Sequence, residues 1–416
     1  HVSPADKQAL DNTLHDLEET LNHHLAREYG VNPRVTGKYQ AWKASHQPFH
    51  WFVDFYPLMA AGGFDAVIGN PPYIEYSKVK SDYEIRTPSI SLDAGNLFAY
   101  TTERCFELSA PAALIGMIVP VSLVSTQRMQ PLQDLVSQSG RGWFSNYGER
   151  PAKLFSGAEV LLTILIASKE SVSRGRYSTG LRKWSSDQRD SLFATTSYLL
   201  SPSLARSFIV PKFAHSVEGE ILRKIWSRTE RLSSYLRKDT DSRLFYRIGG
   251  GRYWKVFTTE SPRFMLNGVA GKSSRESSLT FSSLSVRDAA CAVLSSSVYF
   301  WHFSVTTNGR DLNPIDILDF PIDLEALSRS SLQLDGLVSS LMHDYQTNSR
   351  IREKRSSQTG QVEYQEFYPR LSKPVIDEID QCLGDYYGLT AAELDYIINY
   401  DIKYRMGQSA DDDSDD

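Results

Sequence analysis

The stretch Phe64-Asp65-Ala66-Val67-Ile68-Gly69, followed at once by Asn70-Pro71-Pro72-Tyr73, restricts this chain more than any other. The first part has the length and apolar character of a short buried strand. Two consecutive prolines then supply no backbone N–H and fix their own φ, so the strand must stop and give way to a stiff turn. A strand ending in such a turn is where open α/β sheets hold their ligands. The residues on either side fit that class. Asn96–Leu108 and Arg128–Val136 read as helices, and Ala113–Val119, Trp143–Tyr147 and Leu161–Ala167 as buried strands. Their alternation predicts a mostly parallel sheet covered on both faces.

The turn also has chemistry. The Asn70 side-chain carbonyl and the Pro71 backbone carbonyl are two acceptors held in a rigid frame, which suits the two N–H donors of an exocyclic amino group. Tyr73 adds a flat ring able to stack on a planar substrate such as an extruded base. Accepting both N–H bonds favours the change of the nitrogen from planar toward tetrahedral and exposes its lone pair to a methyl sulfonium. That contribution is positional and electrostatic and requires no nucleophilic side chain.

Phe64 to Ile74 resembles motif IV of gamma-class N6-adenine DNA methyltransferases, of the kind found in type IIG restriction–modification and BREX phage-defence methylases. Gly95-Asn96-Leu97-Phe98-Ala99-Tyr100 is similar to the motif V–VI region of that family, and Lys153-Leu154-Phe155-Ser156-Gly157-Ala158 to its motif VIII. Val293–Phe303 with Leu318-Asp319-Phe320-Pro321-Ile322 resembles the end of its specificity domains, and Cys382–Asp401 a tail seen in the type IIG group. The resemblance implies Asn70, Pro71, Pro72 and Tyr73 as catalytic residues and Phe155 as the second wall around the base. It implies Asn70, Pro72, Asn96 and Phe98 near the cofactor, S-adenosylmethionine, and double-stranded DNA as partner in a bacterial cytoplasm. The implied fold is α/β: a partial Rossmann-like methyltransferase sheet, then a mixed α+β target-recognition domain and a helical C-terminal segment. The expected divisions are 1–60 (helix and connector), 61–170 (catalytic part), 171–330 (recognition), 331–409 (helical) and 410–416 (disordered acidic tail).

The glycine-rich methyl-donor motif of the family occurs nowhere in the sequence; in the gamma order it precedes motif IV, so it is expected before His1. The main donor site then lies in a missing N-terminal part of the same protein or in a partner chain, with the motif IV strand left beside an empty sheet position. Two other readings stay open. One is a non-catalytic DNA-binding or specificity subunit completed by a partner. The other is an RNA or protein-glutamine amino-group methylase; a protein-glutamine methylase has no need of the long region after the sheet.

The net charge of −5 hides a split: Ser203–Arg287 carries 16 Lys and Arg against 7 Asp and Glu, whereas Glu363–Asp416 carries 4 against 14. In the basic part Arg243, Arg247, Arg252, Lys255, Arg263, Lys272 and Arg275 alternate with Tyr246, Tyr253 and Trp254, a pattern suited to phosphate and base contacts that weaken steeply with salt.

Other features are structural. Ser3, Pro4 and Asp6 open an N-terminal helix whose Leu10, Leu14, Leu17 and Leu21 form a stripe expected to pack on the body. Ser171–Arg189 reads as an exposed connector and Arg350–Gln361 as a flexible loop. Cys105, Cys291 and Cys382 stand apart as free thiols. Gly271-Lys272-Ser273 lacks the glycine a phosphate loop needs at Leu266, and Pro48 separates His46 from His50, so neither nucleotide nor metal binding is expected. With 41% hydrophobic and 23% charged residues and no apolar run of about 18, the chain has a globular composition and no spanning segment.

Overall fold

The computed structural model describes residues 3–82, 85, 89–157, 159–170, 174–202, 208–250, 253–331, 333–356 and 360–407. Arg252, Ala158 and the acidic tail 410–416 lie outside them. Ser3 caps the helix Pro4–Glu28: its side chain accepts from Asp6 N, and the Asp6 carboxylate accepts from the Ser3 backbone. Only the C-terminal turns of this helix pack, with Ala26 against Tyr39 and Trp42 of the helix Thr36–His46. Leu10 and Leu17 are 57% and 45% exposed, so the stripe does not lie on the body as expected.

Strand β1 (Phe64–Gly69) follows a glycine pair in the left-handed region, Gly62 at φ +111° and Gly63 at +115°. A Cβ on Gly63 would sit 2.4 Å from the Leu108 carbonyl, so only glycine allows this approach. β1 pairs in parallel with β2 (Ser109–Pro120), from Ala66↔Leu114 to Gly69↔Met117. The remaining strands of this sheet are β3 (Arg141–Tyr147), β4 (Leu162–Ser168), β5 (Gly175–Arg182) and β6 (Leu199–Leu200), in the order β1-β2-β4-β3-β5-β6.

The sheet is mixed rather than mostly parallel. β1/β2 and β3/β5 run parallel, and β2/β4, β3/β4 and β5/β6 antiparallel. The reason is local: among the described residues no crossover helix joins β3 to β4, so the chain turns back and β4 slots in antiparallel beside β3. The presumed connector 171–189 supplies β5, and the sheet runs on through Leu200.

One face of this sheet is covered. Val67, Ile115, Met117, Leu165 and Phe144 pack against Phe98, Phe106, Leu132 and Val136 of the helices Leu97–Leu108 and Gln130–Ser139. The opposite face is open near β1, contrary to expectation: Ile68 is 87% exposed, Leu114 52% and Ile166 41%. β1 is also an edge, with β2 its one neighbour among the described residues.

The C-terminal half gathers on a larger helical core around Trp301, Tyr299 and Phe303. Its centre is two helices, Leu284–Ser295 and Ser297–Thr306, separated because Ser296 breaks off to cap the second by accepting from Tyr299 N. A three-stranded sheet, β11-β7-β8, contains β7 (Arg243–Arg247), β8 (Phe257–Thr258) and β11 (Glu276–Thr280). A second, four-stranded sheet has the order β10-β9-β13-β12. Its members are β9 (Phe264–Leu266), β10 (Val269–Ala270), β12 (Arg350–Ser356) and β13 (Gly360–Glu366). The presumed loop 350–361 is therefore largely strand, held by full antiparallel pairing of β12 with β13.

Candidate functional site

β2 and β3 both run against β4, so the carboxyl ends of β1, β2, β3 and β5 share one edge of the sheet. The turn at 70–73 leaves β1 there, and the loop 148–161, which contains Phe155, leaves β3 at the same edge. The strand order puts β2 and β4 between them. Asn70 and Pro72 are exposed, Pro71 is buried and Tyr73 is half-buried. The Tyr73 ring packs on the core beneath the sheet, and its hydroxyl lies 2.6 Å from Asn70 Oδ1 and 2.9 Å from the Ile118 carbonyl. Burial pushes its pKa up to about 12, so the phenol stays protonated at ordinary pH.

The segment leaving the turn is fastened at several points. Leu97 N donates to the Ile74 carbonyl and Tyr76 N to that of Gly95. The Arg128 guanidinium grips Glu75 with two bonds of 2.7 and 2.8 Å, and Asn96 Nδ2 adds a third at 3.2 Å. The Arg128 bond holds the Glu75 carboxyl below its usual pKa, against the opposing effect of burial. Glu103 secures residues 89–91, accepting from Ser89 Oγ (2.6 Å), Ile90 N (2.8 Å) and Ser91 N (2.9 Å). Burial alone would raise the Glu103 pKa; these bonds, with one from the Ser91 hydroxyl, together outweigh it. Neither Glu75–Arg128 nor Glu103 stood out in the sequence, since no spacing rule links residues so far apart in the chain.

Asn96 and Phe98 face inward. Asn96 is 6% exposed and spends its carboxamide on Glu75 and on Phe98 N, where it caps a helix; Phe98 is 1% exposed within the core. Phe155 is 36% exposed and lines a cavity of about 780 Å³ with Glu149, Lys153, Trp184 and Arg189. Arg310 reaches this loop from the C-terminal half, donating to the Glu159 carbonyl at 3.0 Å and lying 3.7 Å from Glu149.

The basic residues divide. Arg243, Arg247, Arg263, Lys272 and Arg275 are exposed. Arg263 lies 3.7 Å from Glu363, Lys272 lies 3.9 Å from Glu276, and Arg275 lines a cavity of about 350 Å³ with Gly249, Gly250 and Arg310. Lys255 is not a surface cation. It is 5% exposed, donates to the Arg310 carbonyl at 3.2 Å and lies 4.3 Å from the centre of the Phe303 ring. Tyr246 and Trp254 are likewise buried, so neither offers a face for stacking.

All three cysteines are free and buried; burial pushes Cys105 up to about 11 and Cys291 to about 12, which leaves those two as inert thiols. Among the described residues no helix is long and apolar enough to cross a membrane.

No curated protein matches the chain significantly. Solved structures do. The chain is similar to the type IIL restriction-modification enzyme MmeI in complex with DNA, at 9% identity and TM-score 0.43, over 82% of this chain and 57% of that one. It is also similar to a nuclease-deletion mutant of the type ISP restriction-modification enzyme LlaGI with a DNA substrate mimic, at 12% identity and TM-score 0.29, over 44% of this chain and 20% of that one. A DrdV–DNA complex matches at 9% identity and TM-score 0.31, over 44% and 22%. The chain thus spans less than two thirds of each of these proteins. Residues 5–140, which include β1, the turn at 70–73 and both helices beneath the sheet, match the family model of the Eco57I restriction-modification methylases.

Proposed function

We propose that this chain carries the base-holding part and the DNA-recognition part of a site-specific DNA methyltransferase acting on the N6 amino group of adenine within a restriction–modification or phage-defence system. One observation carries the reading: Asn70-Pro71-Pro72-Tyr73 sits at the carboxyl end of β1, on the same sheet edge as the Phe155 loop. The carbonyls of Asn70 and Pro71 accept the two amino hydrogens, and Tyr73 and Phe155 flank the extruded ring. Arg243, Arg247, Arg263, Lys272 and Arg275 contact DNA phosphates, with double-stranded DNA in the bacterial cytoplasm as the partner.

The methyl group comes from S-adenosylmethionine. Asn70 and Pro72 are exposed beside the turn, but Asn96 and Phe98 are turned inward, and this set alone does not enclose a nucleoside sulfonium. The rest of that site belongs to a segment pairing with the open edge of β1 and covering Ile68 and Leu114, either an N-terminal part of the same protein or a partner chain. The same open edge favours, as a second reading, a specificity subunit whose catalytic domain is completed in trans.

The test is methylation of a plasmid library by the full-length protein, with and without its partner, modified bases being mapped by sequencing. Adenine-N6 marks at one short sequence, abolished in Asn70→Ala with DNA binding retained, are the expected result. Undiminished methylation in Asn70→Ala removes the mechanism, and marks on RNA or on glutamine instead would reassign the substrate.

A further inference from the structure

A phenol has one proton, yet the Tyr73 hydroxyl has two oxygens within hydrogen-bond reach, Asn70 Oδ1 at 2.6 Å and the Ile118 carbonyl at 2.9 Å. The Ile118 carbonyl can only accept. Ile118 also lies one residue past Gly69↔Met117, the last pairing of β1 with β2, where β1 no longer offers a ladder donor. If the phenol proton goes to Asn70, the Ile118 oxygen faces another oxygen at 2.9 Å with no proton between them. If it goes to Ile118, the Asn70 contact becomes a hydrogen bond once the carboxamide makes a half-turn that exchanges Oδ1 and Nδ2. Asn70 is exposed, so nothing packed around it resists that half-turn.

The two arrangements differ at the atom that matters. In the first, the Asn70 acceptor is consumed by Tyr73. In the second, Nδ2 donates to the phenol oxygen and Oδ1 is left pointing away from it. We propose that the Tyr73 hydroxyl is a positioning group: it donates to the Ile118 carbonyl, accepts from Asn70 Nδ2, and so holds Asn70 Oδ1 outward as acceptor for the substrate amino group. This rests on the proposed role of the turn in methyl transfer and adds to Tyr73 a task separate from stacking. It also ties the exposed Asn70 to the interior of the sheet, since Tyr73 is packed on the buried core and β2 is a central strand. The phenol keeps the proton this relay needs over the whole ordinary pH range.

Tyr73→Phe retains the ring and removes the hydroxyl. In the full-length protein labelled with ¹⁵N-asparagine, the Asn70 side-chain amide is identified by its loss in Asn70→Ala. The proposal expects one of its protons to be shifted and slowly exchanging in the wild type, and both to revert to free-amide behaviour in Tyr73→Phe. With the complete methylating enzyme, Tyr73→Phe should lower kcat roughly tenfold at nearly unchanged KM for DNA. An Asn70 amide indifferent to Tyr73→Phe overturns the hydrogen bond, and a shifted amide with unchanged kcat overturns its positioning role. The amide signal does not depend on methyl transfer, so it still reports if Asn70→Ala shows that the turn has another function.

Discussion

Lys212 gives a stability prediction whose sign and size come from its surroundings. It is 1% exposed, and its ammonium donates to the carbonyls of Thr307 at 2.6 Å and Val305 at 3.2 Å, fastening residues 209–213 to the end of the helix Ser297–Thr306. Burial pushes its pKa down to about 7, with Asp316 pulling the other way. In the unfolded chain the same group titrates near ~10.4. Between those values the unfolded state holds a proton that the folded state has released, so stability falls as pH drops from 10 toward 7 and rises as pH climbs. Below pH 7 both states become charged and the dependence fades. Integrated from pH 7 to 9, the gain is about 2 kcal/mol. Lys212→Met has no such group. The difference in urea-unfolding free energy between wild type and Lys212→Met, monitored by tryptophan fluorescence, should therefore move by about 2 kcal/mol in favour of the wild type between pH 7 and 9. Lys255, pushed down to about 8 by its own burial, is present in both proteins and cancels. A difference that stays constant over this range would refute the claim that a buried ammonium sheds its proton there.

Phe155→Ala should reduce methylation about tenfold to a hundredfold, the value of one aromatic wall against a base, with a melting temperature near that of wild type because the ring is already 36% exposed. Unchanged methylation would remove Phe155 from the site. On the covered side of the sheet, Ile115→Ala should cost about 2–5 kcal/mol in thermal or urea unfolding, since Ile115 is 0% exposed. Ile68→Ala, at 87% exposure, should stay within about 0.5 kcal/mol, and comparable losses from the two would show that something already covers Ile68 in the isolated protein.

β1, its turn and the helices beneath the sheet were legible because each is encoded in adjacent residues: an apolar run, two prolines, a 3.6-residue period. Strand direction is not encoded that way. Leu161–Ala167 reads the same whether parallel or antiparallel, and only the lack of a crossover helix among the described residues after β3 decides it. β5 was hidden for a different reason. The centre of Gly175–Arg182, Ser178-Thr179-Gly180, is polar and small because it pairs through a buried network in which Asn146 Nδ2 donates to Ser178 Oγ at 3.0 Å and to the Thr179 carbonyl at 2.9 Å. No apolar alternation is needed there, and none is present. Charge counting does not reveal that Lys255 is buried, because composition records cations without their depth, and motif spacing does not reveal that Asn96 and Phe98 face inward, because position along a motif does not fix which way a side chain turns. The decisive contacts at the turn share this property. Tyr73 to Ile118 and Arg128 to Glu75 are each made across the fold. A strand at the edge of a sheet has a neighbour on one side only, so the stiffness its turn needs has to be drawn from that side. Here it is drawn from β2 through a single hydroxyl, and from Arg128 and Asn96 through the Glu75 carboxylate.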